Sequence, residues 1–118
     1  MSIKKILIFG GNGLVGSSCS RVLGKNESYE VFESTRSDTN LFSLKETSKT
    51  INEISPDVII NAAAKVGCIL ANNNFRTEFI IENLKININI FESCIGKPKI
   101  DIINLGSSCI YPLDAPNP

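Results

Sequence analysis

The sequence predicts an α/β protein with a doubly wound, Rossmann-type parallel sheet, of which this chain supplies an incomplete, N-terminal share. Three observations carry that prediction. Short apolar runs rich in Ile and Val alternate with longer segments of helical periodicity, the pattern of successive βαβ units. Those runs are apolar nearly throughout instead of alternating with polar residues, as strands covered on both faces are. A glycine cluster, Gly10 to Gly16, separates the first strand from the first helix.

The elements follow in order. Ile3 to Phe9 is a buried strand bounded by glycines. Leu14 to Gly24 is a helix with Val15, Cys19, Val22 and Leu23 as its apolar stripe. Tyr29 to Thr35 is the second strand. Leu44 to Ile54 is a weaker helix with Leu44, Ile51 and Ile54 on one face. Pro56-Asp57 breaks it, and Val58 to Asn61 is the third strand. Asn72-Asn73-Asn74 reads as a loop whose amides bond the backbone. Thr77 to Ile95 is a long helix with Ile80, Leu84, Ile88, Phe91 and Ile95 as the main stripe. Phe79, Ile86, Ile90 and Cys94 put apolar groups on its other faces, so more than one side should be buried. Asn83 and Asn87 share a face one turn apart, suited to anchoring backbone. Ile100 to Leu105 is the fourth strand, ended by Gly106-Ser107-Ser108. The proline-rich close, Tyr111 to Pro118, adds no further element. Four strands and three helices leave one sheet edge unpaired, so the expectation is the front of a longer protein over a small complete domain.

Composition narrows the function classes. At 118 residues the chain is one domain or part of one, and twelve Lys and Arg balance twelve Asp and Glu. No net field favours nucleic acid or an anionic membrane, so phosphate recognition must be local. The chain has no histidine, which removes the commonest metal ligand and general base. Cys19, Cys68, Cys94 and Cys109 are far apart and form no C-x-x-C pair, so no metal site is expected. No segment approaches the roughly 20 apolar residues of a membrane span. Free thiols and the lack of a secretory core suit a cytoplasmic protein.

Between strand and helix, Gly10-Gly11-Asn12-Gly13-Leu14-Val15-Gly16 is placed to hold a pyrophosphate. Gly11, Gly13 and Gly16 fit G-x-G-x-x-G, while Gly10, Gly13 and Gly16 fit G-x-x-G-x-x-G. In either register the glycines serve a tight turn, a close backbone approach to the ligand and helix–strand packing. First-turn N–H groups and the helix dipole then face the anion. Past the second strand, Arg36 suits a 2′-phosphate, with Glu33 as the competing ribose ligand, so NADP(H) is favoured over NAD(H). The fourth strand delivers Ser107, Ser108 and Cys109 to the edge where open parallel sheets bind ligands. Two readings of that end stay open: serines bonding their own backbone beside a small buried thiol, or groups that bond a carbonyl and move a proton.

Taken together, four stretches resemble the GDP-L-fucose synthase family, the GDP-4-keto-6-deoxymannose epimerase/reductases among the extended short-chain dehydrogenase/reductases. They are Gly10–Gly16, Ala62-Ala-Ala-Lys-Val-Gly67, Ala71-Asn-Asn73 and Leu105-Gly-Ser-Ser-Cys-Ile-Tyr-Pro112, in chain order over nearly the whole sequence. The last is the most specific, because sugar epimerases generally seldom have that cysteine. The resemblance implies inversion at C3 and C5 of a 4-keto sugar, then reduction at C4 by NADPH. It implies that Ser107 bonds the C4 carbonyl oxygen and that Cys109 is a base in epimerisation. Gly10, Gly11, Asn12, Gly13, Leu14, Val15 and Gly16 would hold the pyrophosphate, and Arg36 the 2′-phosphate. Asn40 and Leu41 would flank the adenine. Ala63, Ser107 and Ser108 would also touch the cofactor, with Leu105 and Gly106 toward the nicotinamide. Val66 and Gly67 would open the substrate loop. A GDP-sugar substrate is implied, as is a homodimer of the full-length protein, with Thr77 to Ile95 as the candidate surface.

Two departures stand out. Cys68 occupies a place where the family more often has glycine. The family's Tyr-x-x-x-Lys pair and histidine acid have no counterpart here: neither Tyr29 nor Tyr111 has a lysine four residues on. The expectations are therefore a fucose-synthase-type enzyme seen without its C-terminal substrate domain, a related GDP-sugar reductase such as a colitose synthase, or a dinucleotide-binding module without turnover.

Overall fold

A computed structural model describes residues 2–107 and 110–116. The strands are β1 (Lys4–Phe9), β2 (Tyr29–Ser34), β3 (Val58–Asn61) and β4 (Asp101–Asn104). The helices are α1 (Leu14–Leu23), α2 (Leu44–Ile54), α3 (Ile69–Asn74) and α4 (Arg76–Ser93). All pairings are parallel and the order is β2-β1-β3-β4. The doubly wound α/β expectation holds, with element ends moved by one or two residues.

Side-chain alternation divides the core. Leu7, Phe9 and Ile59 face Ile51 of α2 and Ile86 and Ile90 of α4. Ile6, Ile8 and Ile60 face the other way, against Cys19 and Leu23 of α1. Register makes Ser34, Phe9, Asn61 and Asn104 one row, and each ends its strand. The sheet's carboxyl edge is therefore flush, and every loop leaving it opens onto the same side.

Local chemistry fixes the connections. Ser43 caps α2, its Oγ accepting the Glu46 N–H at 3.3 Å. Glu46 reaches back to accept the Asn40 N–H at 3.1 Å, which ties the preceding loop to the helix. Ser55 ends α2 in the left-handed region, φ 50°. A buried hydroxyl chain runs from Ser34 to Thr39 and on to Thr50, each step 2.8 Å.

Three expectations need correction. Residues Asn72 to Asn74 lie in the short helix α3, not in a loop, although Asn72 does bond backbone, donating to the carbonyls of Gly67 and Cys68. On α1, Val15 and Val22 are exposed, because the helix packs its small Gly16 and the half-buried Cys19 and Leu23 on the sheet. On α4, the stripe Ile80, Leu84, Ile88, Phe91 and Ile95 faces outward, and Ile86, Ile90 and Ser93 are buried. Asparagines share the inward face of α4, so apolar count points to the wrong side.

Candidate dinucleotide site

The glycine loop is built by backbone contact. Gly10 follows β1 with φ +77°, and a Cβ there would lie 2.8 Å from the Ala62 and Ala63 backbone. A Cβ on Gly16 would fall on the Gly10 carbonyl, 2.8 Å from its carbon. The Gly13 N–H donates to the Gly10 carbonyl at 3.0 Å and Gly13 caps α1. Gly11 instead abuts the side chain of Glu33. Geometry therefore selects the Gly10-x-x-Gly13-x-x-Gly16 register as the one that shapes the turn.

No side chain caps α1. The Ser17 and Ser18 hydroxyls donate to the Leu14 carbonyl, at 3.4 and 2.9 Å, and so leave the first-turn N–H groups without competition. Helix geometry gives those N–H groups no intrahelical partner.

In front of this turn lies a cleft of about 420 Å³. Gly10, Asn12, Gly13, Leu14 and Val15 form one wall. Arg36, Asn40 and Leu41 form the second, and Ala63 with Val66 the third. These ten are sequence-predicted residues that the fold brings together. Gly11 and Gly16 support the loop from behind. Leu105, Gly106 and Ser107 leave β4, one strand removed from the cleft, and do not line it. Gly67 also stands outside, where a Cβ would meet Phe79 and Ala71. Ser107 is exposed and its carbonyl accepts the Ile110 N–H at 3.3 Å. Ser108 and Cys109 lie outside the described residues.

Sequence reasoning passed over Ser34, Thr35, Thr39, Phe42, Ala62, Ala64 and Ile86, which also line the cleft. Their shared signal is position: all but Ile86 end a strand on the flush edge or lie within eight residues after one. Only Ile86, reaching up from α4, required the fold.

Charge is arranged around Arg36. It makes no hydrogen bond or ion pair among the described residues, whereas both flanking carboxylates are engaged. Glu33 accepts from the Ser20 hydroxyl on α1, which directs it off the cleft. Asp38 accepts the Thr35 Oγ1–H at 2.7 Å and the Thr35 N–H at 2.8 Å. Those two bonds, the hydroxyl's first, hold the Asp38 carboxyl below its usual range. Of the two, Arg36 lines the cleft and Glu33 does not. Beyond, Asn40 accepts the Phe42 N–H at 3.0 Å, and Asn89 of α4 donates to the Leu41 carbonyl at 2.7 Å. No helix of the described residues is long and apolar enough to cross a membrane.

The model of the NAD dependent epimerase/dehydratase family matches residues 6–118. A GDP-L-fucose synthase of Sinorhizobium fredii (strain NBRC 101917 / NGR234) is 38% identical over 115 residues, covering 98% of this chain and 36% of that protein. A GDP-L-colitose synthase of Yersinia pseudotuberculosis is 34% identical over 110 residues, covering 93% and 35%. Among solved structures, MlghC, a GDP-mannoheptose C4 reductase from Campylobacter jejuni with NADP bound, superposes with a TM-score of 0.87 at 28% identity, covering 100% and 37%. The chain thus spans little more than a third of the length of these relatives.

Proposed function

The chain belongs to the NAD dependent epimerase/dehydratase family, and from that premise we propose that it forms the NADP-binding part of an epimerase/reductase acting on a GDP-linked 4-keto sugar. One observation carries the reading: the cleft sets an uncapped helix start against a guanidinium without a side-chain partner among the described residues. A dinucleotide with a 2′-phosphate has anionic groups for both walls. The bare backbone at Gly10 and Gly16, where any Cβ would collide, fits the close approach of a pyrophosphate.

In this reading the loop Gly10–Gly16 holds the pyrophosphate through the N–H groups of Leu14, Val15 and Gly16. Arg36 takes the 2′-phosphate, Asn40 and Leu41 border the adenine, and Ala63 lies along the ribose. Leu105 and Gly106 lie toward the nicotinamide, and Ser107 and Ser108 also contact the cofactor. NADPH supplies the hydride that reduces C4. Ser107 donates to the C4 carbonyl oxygen, Cys109 removes a proton from an acidified ring carbon, and Val66 and Gly67 begin the sugar-facing loop. The relatives support the substrate class by their names. Because a colitose synthase and a C4 reductase stand among them, a reductase of a neighbouring GDP-sugar is the second reading. The Tyr-x-x-x-Lys pair and the histidine acid belong, in both, to a longer polypeptide carrying this segment. The outward stripe of α4 is the surface for self-association.

Calorimetric titration with NADPH and NADH tests the cofactor reading. NADPH should bind more tightly, and Arg36→Ala should weaken it about 10- to 100-fold while sparing NADH, from about 1.5–3 kcal/mol for bonds to a charged group. Equal affinity for both cofactors, or none for NADPH, overturns it. For the sugar, a full-length enzyme carrying this segment should oxidise NADPH with GDP-4-keto-6-deoxymannose, and Cys109→Ser should abolish epimerisation. Turnover on only another GDP-keto sugar would favour the second reading.

A further inference from the structure

The inward face of α4 carries amides where a core helix would ordinarily carry aliphatic side chains, and those amides form one connected path. Asn61, the buried last residue of β3, donates to Asn104 Oδ1 at 2.7 Å and to Asn87 Oδ1 at 3.0 Å. Its own Oδ1 accepts the Ala63 N–H at 3.1 Å. Asn87 donates to the Asn83 carbonyl at 2.9 Å. Asn83 grips Lys65 by both backbone groups, accepting its N–H at 2.8 Å and donating to its carbonyl at 3.0 Å. The Lys65 ammonium closes on Glu82 at 2.7 Å and lies 5.3 Å from the Phe79 ring centroid. The path runs from the end of β4, across β3 and along α4, to the segment between β3 and α3 that supplies Ala63 and Val66 to the cleft.

Apart from the Ala62 N–H, which donates to the Phe9 carbonyl at 3.0 Å, that segment lies outside strand and helix, so its conformation is set by the side-chain bonds it receives. Asparagine suits the task because it donates and accepts at once. We propose that Asn61 and Asn83 are positioning residues that lock residues 62–67 against the β4 end and thereby set the affinity of the cleft for its dinucleotide. The inference rests on the NADP-binding reading and assigns these residues no contact with the ligand.

The test uses the 118-residue chain and three variants. Asn61→Asp keeps the shape but sets a carboxylate against two amide oxygens in a buried place, which favours its protonated form. Asn83→Ala cuts the grip on Lys65 together with a 2.8 Å bond to the Phe79 carbonyl one turn back on α4. Ser48→Ala is the control: it removes a 2.8 Å bond to Ser93 between α2 and α4, away from the cleft. NADPH dissociation constants are read at pH 5.5 and 8.0, at a temperature where circular dichroism shows each protein folded, beside thermal midpoints.

Asn83→Ala should weaken NADPH about tenfold, whereas Ser48→Ala should lower the midpoint and leave binding within about twofold. Asn61→Asp, relative to wild type at each pH, should bind more weakly at pH 8.0 than at pH 5.5. Should Asn61→Asp not fold at pH 8.0, Asn83→Ala carries the test, since alanine favours the helix. Wild type that binds NADPH while both asparagine variants bind equally well overturns this inference alone. Wild type that fails to bind NADPH overturns the dinucleotide reading and this one with it.

Discussion

The thiols of Cys68 and Cys94 sit in opposite surroundings. Backbone N–H groups of Ala71 and then Leu70, at the start of α3, stabilise the Cys68 thiolate and hold its pKa below the usual value. Burial pushes the Cys94 thiol up, against the opposing pull of Lys97. A lowered pKa means more thiolate at neutral pH, and thiolate is the reactive form. Iodoacetamide at pH 7.5 should therefore label Cys68 before Cys94, and as pH is raised the Cys68 rate should begin its climb at a lower pH than the Cys94 rate, as followed by peptide mass spectrometry. Equal rates would contradict the assignment. Asp38 has the carboxylate version of the same effect. Its pKa is depressed, so its contribution is complete above the ordinary carboxylate pKa and fades as pH falls through the lowered one. Such single-residue chemistry was partly legible: Arg36 stood out past a strand end, but nothing in the sequence announced that Ser20 would hold Glu33 aside.

Within elements, α1 shows propensity and packing in conflict. Alanine in place of a helical glycine ordinarily gains up to about 1 kcal/mol. At Gly16 the added Cβ would fall on the Gly10 carbonyl, and backbone cannot rotate out of the way as a side chain can. Gly16→Ala should therefore destabilise by about 1–3 kcal/mol, the range for overpacking, and weaken NADPH by displacing the loop. A rise in the urea midpoint would refute this. The helix α4 shows why periodicity misled. Hydrophobic pattern locates a buried face only when that face is apolar, and here Asn83 and Asn87 occupy it with partners supplied by other elements. The short α3 was missed because six residues rich in asparagine carry little helical signal.

Across the whole molecule, the outward stripe of α4 leaves Ile80, Leu84, Ile88 and Phe91 exposed on one helix, and exposed apolar patches can mark interaction sites. If it mediates self-association, Leu84→Glu should shift sedimentation equilibrium toward monomer with an unchanged far-ultraviolet circular dichroism spectrum, because Leu84 is half exposed and outside the core clusters. Wild type that sediments as monomer at every concentration would end that reading. A family resemblance supplied Asn40, Leu41, Ala63 and Val66 of the cleft, whereas the residues by themselves determined the α/β winding, the glycine turn and Arg36 past the second strand. Those depend on local rules: apolar runs, spacing, and the demand for residues without a Cβ where backbones meet. Only the tertiary structure decided which glycine register shapes the turn, which face of α4 is inside, and that Asn61 joins two strands to a helix. Each of these turns on partners from different strands and helices, whose proximity exists only after the sheet has formed.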